Sequence, residues 1–318
     1  MKKSLLDVIR RKKRFLVTMH AHPDPDAMGS ALAMTLFLKS IGKDVRLINE
    51  DACPRWLAFM PRVKLCQKYT GRERFAPEVV VVLDCGDLER IGKVRSLVPE
   101  GALVINIDHH ITNTHFGDWN DVRARYSSTA EILYQVLKNA ECRFDRDIAT
   151  LLYLGILTDT GSFGFDCTGP HTHEVIAELL RFGLPVSRLY QKVYETIPVG
   201  DLRGFLSLMN RLEISCGGRL AVLSMTRREA DVFSRDFDVK DKVFQMLRSV
   251  KGLQVIMIAA EVGPRRTRIN FRSRDGFDVA RLAARFGGGG HKKASGCFLD
   301  KGLKQAREAV LSEIRKGL

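Results

Sequence analysis

Short, unbroken apolar runs that end in an acid or a histidine set the rhythm of the first half of this chain. Arg14–Met19, Val45–Ile48, Val79–Leu83 and Leu103–Ile107 read as strands buried on both faces of a parallel sheet. Elsewhere the apolar spacing turns helical. Ala27–Ile41 stops at Gly42, and Ser128 caps a segment with Glu131 three residues on. Ile148–Thr158 forms another helix, and His171-Thr-His173 opens one that ends near Gly183. Residues 51–76 read as a partly exposed helical region. Strands alternating with helices predict an α/β fold with a doubly wound parallel sheet.

The pattern changes after Leu184–Gly204, where Pro185, Pro198 and Gly200 surround a helical Leu189–Glu195 stretch. Beyond it come a strand (Arg219–Met225), an amphipathic helix (Val239–Val250) and a hairpin of Leu253–Val262 with Arg266–Arg272 about Gly263-Pro264. A helix at Asp278–Phe286 runs into Gly287-Gly-Gly-Gly290-His291. A last helix spans Leu303–Arg315. This half predicts a second, smaller α/β domain.

Composition adds three constraints. A length of 318 residues suits about two domains. The apolar runs fall far short of the ~20 residues that cross a bilayer. The basic N-terminus around Leu5–Ile9 carries Asp7 in a short apolar patch, which suits an amphipathic helix better than a secretion signal. Neither feature calls for a membrane. Seven scattered cysteines, with no paired spacing, point to reduced thiols and a cytoplasmic location. The net charge of +14 is uneven: residues 1–185 hold 25 Lys/Arg against 23 Asp/Glu, and residues 186–318 hold 26 against 14. A basic second half favours an anionic partner such as nucleotide or RNA phosphates.

Candidate chemistry gathers where predicted strands and helices end. His20, Asp24 and Asp26 occupy a strand-to-helix turn held extended by Pro23 and Pro25. Asp26 could merely cap the helix, but capping leaves the second acid and His20 unexplained. Asp84 follows Val79–Leu83, with Asp87 placed to cap the next turn. Asp108-His109-His110 follows Leu103–Ile107, and Asp159 ends a helix. Carboxylates with imidazoles and no thiolate suit Mn²⁺ or Mg²⁺. Two such ions ~3.5–4 Å apart would activate water and polarise a phosphoryl group, with one acid bridging them. In the second half, Gly287–Gly290 permits close backbone approach to a ligand, and Arg272, Ser273, Arg274, His291, Lys292 and Lys293 add polar and basic groups. His171, His173 and His115 read as helix-start or loop residues, not ligands.

The ordered set His20-x-x-Pro-Asp24-x-Asp26, Asp84, Asp108-His109-His110 and Asp159 resembles the four motifs of the DHH phosphoesterases. Gly287-Gly-Gly-Gly-His291-x-x-Ala-x-Gly296 resembles the DHHA1 substrate-binding domain. The resemblance implies a catalytic domain over 1–185, a linker at 186–212 and a substrate-binding domain over 213–318 that closes on the first. It implies one cation on His20, Asp24 and Asp84 and a second on Asp26, Asp84, His109 and Asp159, Mn²⁺ being favoured over Mg²⁺. Asp108 would orient the histidines, and His110 would meet the scissile phosphate. Arg272, Ser273, Gly289, Gly290 and His291 would grip the nucleotide. His22 departs from the family pattern and is left out of the ligand set.

The compact two-domain length resembles the branch that degrades short oligoribonucleotides to 5′-mononucleotides and dephosphorylates 3′-phosphoadenosine 5′-phosphate (pAp). A cyclic- or linear-dinucleotide phosphodiesterase is the alternative on the same scaffold. A non-catalytic RNA-binding protein is the alternative of another class. Oligomeric state, a homodimer included, is left open.

Overall fold

The computed structural model describes residues 5–234, 237–274 and 276–318, with the side chains of Leu6 and His291 outside the described set. The chain divides into two compact units, Met1–Val193 and Tyr194–Leu318.

The first unit opens with α1 (Leu5–Arg11), β1 (Arg14–Met19), α2 (Pro25–Ser40) and β2 (Asp44–Asn49). Then come β3 (Cys66–Lys68), β4 (Val79–Leu83), β5 (Leu103–Asp108), β6 (Trp119–Val122), α3 (Thr129–Asn139), α4 (Arg146–Asp159), α5 (Pro170–Leu180) and α6 (Val186–Tyr194), whose last residue is the first of the second unit. Six parallel strands lie in the order β3-β2-β1-β4-β5-β6. The chain winds outward from β1 to β2 and β3, then returns past β1 to β4. That reversal leaves a crevice beyond the carboxyl ends of β1 and β4. His20 directly follows β1 and Asp84 directly follows β4, so winding order alone sets both at the crevice.

Val79–Leu83 is buried at every position, as its unbroken apolar run requires of a central parallel strand. On one face Leu16, Val80, Val82 and Val104 pack with Ile91 and Val94 of a 3₁₀ segment, Leu88–Leu97. Asp87 caps that segment through Glu89 N–H. α2 packs against β1, β4, α3 and α4. Nearly all of its length is buried, so its apolar residues are not confined to one stripe.

Residues 51–76 do not form the expected helical region. They hold short 3₁₀ turns at Arg55–Leu57 and Val63–Leu65, followed by β3 on the sheet edge. Pro54 and Pro61 interrupt helical hydrogen bonding, and Arg62 adopts a left-handed φ of 56°. β6 has no apolar run to announce it, because Trp119-Asn-Asp-Val122 is largely polar and lies on an edge.

The second unit contains α7 (Val199–Met209), β7 (Glu213–Ser215), β8 (Leu220–Met225), α8 (Arg227–Asp231), α9 (Val239–Leu247), β9 (Val255–Gly263) and β10 (Arg266–Ser273). It closes with α10 (Val279–Ala284), β11 (Gly289–His291), β12 (Ala294–Leu299) and α11 (Leu303–Gly317). Its sheet runs β11-β12-β10-β9-β8-β7. Only β8 and β9 pair in parallel. Val255, Met257 and Ala259 of β9 face a core with α10 and α11. The alternate residues Ile256, Ile258 and Ala260 face a second core with α7 and α9. The glycine run divides between a loop and the edge strand β11. A Cβ on Gly288 would lie 2.3 Å from Gly296 O, so part of the run serves close strand packing.

Candidate functional site

The turn after β1 sets the first ligand candidates. Helix α2 begins at Pro25, which suits a first helical position, and Asp24, not Asp26, is its N-cap. Asp24 Oδ1 accepts from Asp26 N–H and Ala27 N–H at 3.0 Å, while Oδ2 lies 3.9 Å from His20 Nε2. Asp26 is fully buried. Its two oxygens accept from Thr129 N–H (2.7 Å) and Ala130 N–H (2.8 Å) at the start of α3. His22 points elsewhere, to Asp51 at 2.8 Å with its side chain 83% exposed.

Asp84 lies at the middle of the cluster in a left-handed conformation, φ 55°. A non-glycine residue there costs roughly 1–3 kcal/mol and persists only where surrounding contacts impose it. Thr129 Oγ1 donates to Asp84 Oδ1 at 2.8 Å. His20 Nε2 is 3.4 Å from Oδ2, and His109 Nε2 and His110 Nδ1 are 3.6 and 3.7 Å from Oδ1. His109 Nε2 also lies 3.0 Å from Asp159 Oδ2. Three groups of ligand atoms result, each within 4.8 Å: His20-Asp24-Asp84, Asp26-His109-Asp159 and Asp84-His109-His110. Asp84 and His109 each belong to two of them.

Burial works on these groups together with their neighbours. It opposes charging His20, yet the bond to Asp84 and the nearby Asp24 hold that ring's pKa up at about 9. Burial would also lower His109, but Asp159 and Asp84 raise it. Asp26 is driven well above the carboxylate range by burial and then by Asp84 and Asp159. Asp84 is held low against its burial by His20, His109 and His110. Packing several acids in one crevice is costly unless a cation joins them. Their oxygens with imidazole nitrogens, and no thiolate in any of the three groups, form a donor set that fits hard divalent cations.

Asp108 Oδ1 accepts from His110 Nδ1 at 2.6 Å, and Asp108 Oδ2 accepts from Asn113 Nδ2 at 2.6 Å. Asn113 is tied in turn to Asn106 Oδ1 at 2.8 Å. This chain of bonds fixes the His110 ring. Asn106, Thr129 and Gly155 also shape the site, without a motif to mark them. A Cβ on Gly155 would stand 2.6 Å from Asp26 Oδ1, so only glycine lets α4 approach that carboxylate. The residue types alone gave no signal, since threonine at a helix start and glycine in a helix are common.

The remaining predicted residues lie in the second unit. Arg272 is half-buried, with its guanidinium 4.6 Å from the Phe244 ring centre and Nη1 donating to Phe271 O. Burial, then Arg248, lowers its pKa against the pull of Asp241. Ser273 N–H donates to Lys293 O and its Oγ to Lys292 O. These bonds set Arg272 and Ser273 beside the β11–β12 turn. Gly289 faces open space, and Gly290 takes φ 136°. The His291 side chain is outside the described residues.

The chain is similar to known proteins in sequence and in fold. Residues 14–156 match the family model described as DHH family, N-terminal domain, and residues 230–317 match the DHHA1 domain. The chain is 31% identical over 306 residues to the bifunctional oligoribonuclease and PAP phosphatase NrnA of Thermus thermophilus, covering 95% of this chain and 89% of that protein. It is 28% identical to the protein of the same name from Bacillus subtilis, covering 94% and 93%. An exopolyphosphatase-related protein from Bacteroides fragilis superposes with a TM-score of 0.87 at 27% identity, covering 96% and 92%. With both domain models matched in order and similarity running nearly end to end, the chain belongs to the DHH/DHHA1 phosphoesterase family.

Proposed function

We propose that the chain hydrolyses short oligoribonucleotides to 5′-mononucleotides and pAp to AMP, using Mn²⁺ with Mg²⁺ as the alternative ion. The observation that carries this reading is the convergence of three overlapping groups of ligand atoms, joined through Asp84 and His109, beside a His110 ring fixed by Asp108. The printed names of the NrnA relatives support the substrate class. His20, Asp24 and Asp84 are proposed to hold one cation, and Asp26, Asp84, His109 and Asp159 the other. Cations so held supply Lewis acidity and a water nucleophile active at neutral pH. His110, oriented by Asp108, contacts the scissile phosphate and offsets charge that builds there. Arg272, Ser273, Gly289, Gly290 and His291 hold the nucleotide. All seven cysteines are free, which supports a reducing, cytoplasmic setting.

The test is a panel of two- to ten-nucleotide RNAs, pAp and cyclic dinucleotides, with the metal varied. Expected are metal-dependent release of mononucleotides from the shortest RNAs and AMP from pAp, with cyclic dinucleotides poorer. Asp84→Ala should lower kcat/KM by about 10²-fold or more without changing circular dichroism. Hydrolysis by Asp84→Ala at the wild-type rate, or absence of metal-dependent turnover on every substrate, would overturn the reading.

A further inference from the structure

One face of the second sheet carries charge beyond Arg272 that neither the metal site nor the nucleotide grip uses. Along β10, Thr267, Ile269 and Phe271 turn inward and are fully buried. Arg266, Arg268, Asn270 and Arg272 occupy the alternate positions, so they line the opposite face. Over β8 and β9 that face is covered by α7 and α9. Over β10 it is still reached by α9 at Arg272, through Phe244, whereas Arg266 and Phe298 are exposed and Arg268 is partly exposed. Phe298, paired with Arg268 across the strands, is 50% exposed. The guanidiniums of Arg266 and Arg268 lie 5.0 and 5.5 Å from its ring centre.

Two bland explanations fail. Edge protection does not account for the arginines, because β10 lies between β9 and β12. Cross-strand neutralisation does not either. The register partners of Arg268 are Ala260 and Phe298. The acid near Arg266 is Asp300, at 3.8 Å and with its side chain 92% exposed, which makes a weak pair. The floor between the arginines is kept flat at Gly296, where a Cβ would stand 2.8 Å from Ile269 O. Beside it Asn270 Oδ1 is buried without a hydrogen-bond partner.

Cations in a row, a half-exposed ring and a flat floor are what a single strand of nucleic acid requires: phosphates on guanidiniums and a base on an aromatic face. Alternate strand residues are ~6.8 Å apart, comparable to the step between phosphates in an extended strand. Arg266 to Arg272 spans roughly 20 Å, or about three nucleotide steps.

We propose that the open face of β10 and β12 is a track for single-stranded RNA, on which Arg266, Arg268 and Phe298 hold the nucleotides beyond the one gripped at Arg272. The proposal rests on the oligoribonuclease reading above and adds that these residues set the preference for chain length. It is tested on the full chain with 3′-labelled RNAs of two to six nucleotides, bound in chelator so that none is cleaved. Wild-type affinity should rise with length to four or five nucleotides and then level. Arg266→Ala, Arg268→Ala and Phe298→Ala should each weaken a five-nucleotide RNA about tenfold, leaving the dinucleotide and pAp turnover within about twofold. Each lost arginine should also reduce the slope of log affinity against log salt by ~0.7. Affinity independent of length in the wild type, or variants that weaken dinucleotide and pentanucleotide alike, would overturn the track. Should length-dependent binding fall in these variants while the wild type cleaves nothing in the panel, the track stands and the hydrolase reading fails.

Discussion

Thr129 contributes at two points. Its backbone N–H holds Asp26 Oδ2, and its hydroxyl holds Asp84 Oδ1. One residue therefore sets the separation of two carboxylates, one in the first turn of α2 and one just beyond β4. Groups of this kind commonly change metal affinity 10–100-fold when removed. Thr129→Val keeps the shape and the N–H but deletes the hydroxyl. Expected is a 10–100-fold weaker Mn²⁺ affinity by titration calorimetry, restored by Thr129→Ser. Wild-type affinity in Thr129→Val would remove it from this role. The acids and histidines that the sequence singles out do converge, because each follows a strand or helix whose burial was legible in its apolar run. Thr129, Asn106 and Gly155 were not legible, since their importance lies only in what stands opposite them.

At the level of elements, α3 shows how a local motif is redirected by tertiary packing. Ser128 caps the helix as its position suggests, accepting from Glu131 N–H. The Glu131 carboxylate does not return to the cap residue. It is almost fully buried and accepts from Ser127 N–H (2.9 Å), Ser127 Oγ (2.5 Å), Thr172 Oγ1 (3.1 Å) and His171 Nδ1 (2.5 Å). The last two donors lie in the first turn of α5, so this side chain ties α5 to the helix start that holds Asp26. Glu131→Gln keeps the volume but turns one acceptor into a donor facing donors. It should lower unfolding stability by about 1–3 kcal/mol, read from the urea midpoint. An unchanged midpoint would show that this buried network contributes little.

For the molecule as a whole, the acid-rich crevice links stability to pH and metal. His20 has its pKa raised to about 9. Its contribution to metal-free stability is therefore complete below the ordinary value of 6.5 and is lost as pH rises toward 9. Cation binding needs the imidazoles deprotonated, so its stabilisation grows with pH. The gap in Tm between Mn²⁺-loaded and chelated protein should widen from pH 6.5 to 9. At free Mn²⁺ a hundred times Kd the stabilisation should reach ~2.7 kcal/mol. A gap that stays constant or narrows would contradict ligation through His20. Among the described residues no helix is long and apolar enough to cross a membrane.

The sequence by itself determined the strands that end at the crevice, the basic character of the second half and the residue types able to hold a cation, because burial and charge are written position by position. It also determined the family, since the motifs stand in order. Tertiary structure alone decided which oxygen faces which nitrogen, that residues 51–76 form turns and an edge strand, and that Arg266, Arg268 and Phe298 share an open face. These depend on register and on packing between segments far apart in the chain, which no local pattern encodes.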